Sequence, residues 1–118
     1  MTSNFINSSQ LLQYVVENSL YDPLVSQLRK DFSLANIYID LPENIKPNLL
    51  GNIIQEKIYV LIMERFSEYL NLLYIIDIPE RSFKGIQVTD AVEVSGQVTF
   101  LILKREFQKI RYREKYKK

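Results

Sequence analysis

The side chains able to do chemistry are few and of a restricted kind. Two carboxylate pairs stand at helical spacing: Glu64 with Glu68, and Asp90 with Glu93. Carboxylates one turn apart share a helix face. Four of them on two neighbouring helices could hold Mg²⁺ for attack on a nucleoside polyphosphate. These four are the weak metal candidates of the chain. Their plainer roles are a solvated strip for Glu64 and Glu68 and a helix cap for Asp90 with Glu93. The chain has no His and no Cys. That removes the usual zinc sites, His-containing di-iron sites and Ser-His-Asp or Cys-His nucleophile arrangements. It leaves carboxylate, Lys and Tyr chemistry. Gly51, Gly85 and Gly96 are scattered and form no phosphate-cradling loop. Gly51 and Gly96 suit close helix packing instead. The expectation is a non-catalytic protein with no catalytic residue, no cofactor and no metal.

The basic end, KREFQKIRYREKYKK, is the sharpest feature. Residues 104–118 carry eight Lys/Arg against two Glu, a net of +6, and the preceding residues carry a net of −5. At helical spacing Arg105, Lys109, Arg113 and Lys117 form one row, with Tyr112 and Tyr116 beside it. Lys104, Arg111, Lys115 and Lys118 form a second strip. Such rows neutralise phosphates, and aromatic rings stack on exposed bases. An acidic protein surface or an anionic membrane would fit the same pattern. The interaction candidates are therefore Arg105, Lys109, Tyr112, Arg113, Tyr116 and Lys117. Against a ligand stands the favourable placement of cations at a helix C-terminus, and residues 111–118 read as a frayed basic end. The acidic body also argues against a nucleic-acid domain, whose positive charge should cover one whole face.

The elements that must position these residues are helices. The 118 residues favour one domain, 1–118, and the shortage of Gly and Pro argues against many strands. The fold class expected is all-α: a compact bundle of three to four main helices around a long central helix, with an extended basic C-terminal helix. Residues 1–7 read as a polar leader. A first helix runs over 8–20, capped by Ser8 or Ser9, with Leu11, Leu12, Val15, Val16 and Leu20 apolar. A second runs over 23–34 from an Asp22 cap with Pro23 in its first position. It buries Leu24, Val25, Leu28 and Phe32. In residues 36–46, Ile37, Ile39 and Leu41 alternate as an extended segment on the core. Pro47 opens the central helix, expected straight to Asp77. Leu50, Ile54, Ile58, Leu61, Ile62, Phe66, Tyr69, Leu70, Leu73 and Ile76 fall on one broad face. An apolar arc that wide needs cover on more than one side. Ile78-Pro79 ends it.

Residues 89–103 admit two readings. Val92, Val94, Val98, Phe100 and Ile102 alternate around Ser95-Gly96, as in a hairpin. Ala91, Val94, Val98, Leu101 and Ile102 also make a helical stripe behind the Asp90/Glu93 cap, and a lone hairpin is marginal. A helix from Asp90 to about Tyr116 is expected. Its second apolar face carries Val92, Phe100, Leu103, Phe107 and Ile110, of which Phe100, Leu103, Phe107 and Ile110 are the candidate self-association residues. The longest apolar run, Ile58 to Met63, is far short of a bilayer span. No basic residue precedes the first apolar stretch, so no secretory leader is expected and the location expected is cytoplasmic. The function expected is a small helical interaction or assembly protein, a homo-oligomer or one bound to a protein partner. Nucleic-acid binding through the basic helix is the alternative, and a carboxylate–Mg²⁺ nucleotide hydrolase the third reading.

Overall fold

The computed structural model describes residues 5–116. Five α-helices build it: α1 (Ser8–Glu17), α2 (Tyr21–Leu34), α3 (Pro47–Glu64), α4 (Phe66–Ile76) and α5 (Ala91–Lys115), with a 3₁₀ turn at Glu80–Gly85. The described residues contain no strand, and no helix among them is long and apolar enough to cross a membrane. The all-α bundle expected from the sequence is what forms.

The bundle is centred on α5 rather than on residues 47–77. The 25 residues of α5 run about 37 Å and pack against α1, α2, α3 and α4. The hairpin alternative fails at the first turn, where Asp90 Oδ1 accepts a hydrogen bond from the Glu93 backbone N–H at 2.9 Å. One orphan donor of the helix start is thereby satisfied and the helical stripe prevails. Val98, Ile102, Leu103 and Ile110 are fully buried, so most of both apolar faces of α5 lies inside this one chain, with Val92 at the start of the second face exposed.

The expected straight central helix is broken at Arg65, whose φ and ψ are −142° and 59°. Neither Pro nor Gly stands there. The break has a tertiary cause. Below it, α3 buries Leu50, Ile54, Ile58 and Leu61 and packs chiefly against α5. Above it, α4 turns toward α2 and α5 and buries Tyr69, Leu72 and Ile76. A straight rod would carry that second set past the bundle.

The helix starts also differ from expectation. The α1 cap is Asn7, whose Oδ1 accepts from the Gln10 N–H at 2.9 Å, so Ser8 and Ser9 lie inside the helix. Helix α2 begins at Tyr21, so Asp22 is no cap and Pro23 sits within the first turn. Its start is instead tied to the loop, where the Tyr21 hydroxyl donates to the Ile45 carbonyl at 2.5 Å.

Three helices end on a left-handed residue that is not glycine: Ser19 (φ 58°), Asn36 (φ 61°) and Asp77 (φ 69°). Each closes a Schellman-type turn. The following N–H returns to the helix, from Leu20 to Val15 O, Ile37 to Phe32 O and Ile78 to Leu73 O. In the 36–46 loop Ile37 and Leu41 of the alternating set are buried and Ile39 is half-buried, Ile45 is buried as well, and Arg29 Nη2 donates to the Leu41 carbonyl at 2.7 Å.

Candidate functional site

The basic row exists, and it points inward. Arg105 donates from Nε to the Asp77 carbonyl (2.9 Å), from Nη2 to Asp77 Oδ2 (3.1 Å) and from Nη1 to Gln108 Oε1 (3.4 Å). Lys109 Nζ donates to Asp31 Oδ2 and to the Ile76 carbonyl (3.1 Å), and lies 2.8 Å from Glu106 Oε1. All three ammonium protons therefore have an internal oxygen within reach. Arg113 Nη1 donates to Gln27 Oε1 at 2.8 Å. Sequence spacing grouped these cations correctly, but the row braces α5 against α2 and the end of α4. Lys117 lies outside the described residues.

Tyr112 and Tyr116 are exposed, and their ring centroids are 4.8 Å apart. With Arg105, Gln108, Lys109 and Arg113 they line an open groove of about 830 Å³. Among the described residues, Arg105 and Lys109 are engaged as above, whereas Arg113 makes its hydrogen bond to Gln27 through Nη1. The groove is poorly furnished to hold a phosphate backbone, which needs a series of available cations.

The row meets a buried polar cluster that sequence reasoning missed. Asp31 and Glu106 are both buried, Glu106 at 0% exposure. Gln27 Nε2 donates to Asp31 Oδ1 at 3.2 Å, so Arg113, Gln27, Asp31 and Lys109 form one chain of donors and acceptors. Neither Glu106 oxygen accepts a hydrogen bond of good geometry. Burial above all, then the neighbouring Asp31, pushes the Glu106 carboxyl up to about 9. Burial alone would raise Asp31 as well, but hydrogen bonds to Glu106 and Lys109 hold it below the usual carboxylate range. A signal was present in the sequence: Glu106 follows Leu103 by three residues and precedes Ile110 by four, on an apolar face.

The carboxylate candidates are not assembled into a site. Among the described residues no three Asp or Glu side chains gather to hold a metal ion. Glu64 is exposed at the end of α3, Glu68 pairs with Arg65 at 3.3 Å, and Asp90 and Glu93 make the α5 cap.

The self-association candidates are displaced too. Leu103, Phe107 and Ile110 are buried in the chain's own core, and Phe100 is half-buried. Phe107 packs edge-on against Tyr14 of α1 at 5.8 Å and against Phe5 at 5.4 Å. The face expected to meet a second copy meets α1 instead.

The uncovered apolar surface lies elsewhere, where α3 gives way to α4. Met63 is 57% exposed, Phe66 53%, Leu70 50% and Tyr74 81%. Phe66 and Leu70 were expected on the core face. In the bundle α4 buries Tyr69, Leu72 and Ile76 and turns Phe66, Leu70 and Tyr74 outward. Asn71 Nδ2 donates to the Ala35 carbonyl at 3.4 Å and ties α4 to the end of α2, where Leu34 and Tyr38 are also exposed.

Comparison of the chain with protein-family models, with curated proteins and with solved structures found no match.

Proposed function

We propose that this protein is a small non-catalytic assembly module that associates with a second copy of itself through the outer face of α4. The cytoplasm is its proposed location. The observation that carries the proposal is the run of large exposed side chains at Met63, Phe66, Leu70 and Tyr74. Phe66, Leu70 and Tyr74 follow one another at four-residue steps along α4, the spacing of a seam where one helix packs on another, and Met63 stands just across the break at Arg65. Single exposed apolar residues are ordinary, but a row of three on one helix face with a fourth beside it is the feature that marks interaction surfaces. A second copy suits the charge on the flank. Arg65 pairs with Glu68 there, so two like faces can meet without a large like-charge barrier. A two-fold contact is self-complementary by construction.

The basic helix supports this reading less than the sequence implied, because Arg105 and Lys109 are engaged inside the bundle. The same engagement weighs against nucleic acid. The scattered carboxylates weigh against a Mg²⁺-dependent hydrolase.

Sedimentation equilibrium at micromolar concentration tests the proposal. The wild-type chain should give a dimer, and Leu70→Glu with an unchanged helical spectrum should give a monomer. A monomeric wild-type chain, or a dimer indifferent to both Leu70→Glu and Phe66→Glu, would overturn it.

A further inference from the structure

The assembly proposal makes no use of the polar cluster where α2, α4 and α5 meet. We infer that Glu106 is carried as a neutral carboxylic acid donating its proton to an ionised Asp31, and that this shared proton latches α5 onto α2.

The geometry assigns the two roles. Asp31 faces two donors, Gln27 Nε2 and Lys109 Nζ, one at each carboxylate oxygen. It is thus furnished as the charged member. Glu106 is fully buried and neither of its oxygens accepts a well-formed hydrogen bond. An ionised carboxylate in that position would be a second buried negative charge facing Asp31, with a single ammonium, Lys109, between the two. Buried charge without full compensation is strongly unfavourable. A proton on Glu106 removes the surplus charge and supplies a donor between two buried carboxyls that lie against the same ammonium. Two carboxyls held together then behave as one proton-sharing pair.

The charged groups acting on Glu106 are Asp31 from α2 and Lys109 from α5. Arg113 reaches the cluster through Gln27, and the Ile76 carbonyl at the end of α4 accepts from Lys109. Loss of the proton places net negative charge at a junction that three helices share. The contact between α5 and α2 is the one that loosens, because Glu106 and Asp31 stand on opposite sides of it.

Two measurements on the full chain test the latch. The first is the infrared spectrum of the wild-type protein near neutral pH, where ordinary carboxylates are ionised. A carboxylic-acid band is expected, and its absence overturns the inference whatever any variant does. The second is the denaturant stability of wild type and Glu106→Gln from about pH 5 to about pH 10. Gln keeps the shape and a donor but cannot ionise. Relative to Glu106→Gln, the folded-to-unfolded ratio of wild type should fall about tenfold for each pH unit until Glu106 ionises in the folded state. Parallel profiles overturn the latch. Where Glu106→Gln does not fold, the wild-type band decides alone.

Discussion

Arg105 grips Asp77 twice, through the Asp77 carbonyl at 2.9 Å and its Oδ2 at 3.1 Å. Asp77 is the left-handed residue that ends α4. A basic side chain 28 positions further along the chain thus satisfies an orphan carbonyl of a helix end. This one contact converts a residue of an apparent ligand-binding row into a brace between α4 and α5. Arg105→Ala should lower stability by about 1 kcal/mol, a modest loss because the Asp77 side chain is largely solvated. Urea denaturation of the two proteins measures it, and a loss equal to that of Lys104→Ala would show that the contact is incidental.

Lys109 carries far more. Asp31 is buried, and this ammonium is the cation that, with the Glu106 hydrogen bond, keeps it charged. Lys109→Met retains the packing of the stem but leaves Asp31 without a cation. The expected cost is about 3 kcal/mol or more. The double variant Lys109→Met with Asp31→Leu should recover much of it. A double-mutant cycle gives the coupling directly, and additivity of the two changes would contradict the cluster.

Acid and alkali both weaken the same cluster, each through a different carboxyl. Asp31 sits below its ordinary value of 3.8 in the folded state. Its contribution is present above that value and is lost as pH falls through the lower, folded one. Glu106 sits above its ordinary 4.5, at about 9, so its contribution is full below 4.5 and lost as pH rises toward 9. Together the two groups favour greatest stability near their ordinary values, in weak acid. Melting temperature against pH in wild type and Asp31→Asn checks this. The acid limb attributable to Asp31 should vanish in the variant.

Ser19 occupies a backbone position where glycine is the usual residue, with φ 58°. A side chain in the left-handed region costs about 1 kcal/mol. Ser19→Gly should therefore raise stability by up to about 1 kcal/mol, less the extra freedom it gives the unfolded chain. Thermal denaturation should register a higher midpoint, and a lower one would mean that the turn is held chiefly by the Ser19 side chain.

Gly51 and Gly96 should respond differently to alanine. A Cβ at Gly51 would meet only Leu12 Cδ1 at 3.9 Å, an ordinary contact, whereas at Gly96 it would lie 3.3 Å from Gln55 Nε2. Gln55 donates from that nitrogen to the Val92 carbonyl. Gly51→Ala should gain about 0.5–1 kcal/mol from helix propensity. Gly96→Ala should gain less, since Gln55 must give way. Equal gains by urea denaturation would argue that the α3–α5 contact at Gly96 is loose.

Much of the bundle was legible from residue patterns. Leu24, Val25, Leu28 and Phe32 follow helical spacing and are all buried. Asp90 and Glu93 mark the start of α5, and the cap is there. These are local properties, decided by which side chains stand three and four positions apart and by which groups can satisfy a helix end. Tertiary packing decided the rest. No residue type at Arg65 announces a break. It arises because Leu72 and Ile76 reach α2 and α5 only when α4 changes direction. That turn, in a segment apolar around most of its circumference, selected which face would be buried and left Phe66, Leu70 and Tyr74 outside. It also placed the Ile76 carbonyl and Asp77 under α5, where Lys109 and Arg105 meet them. A row of cations has the same spacing whether it faces solvent or a neighbouring helix. Only the position of Asp31 and Asp77, 78 and 28 residues away along the chain, turned it inward.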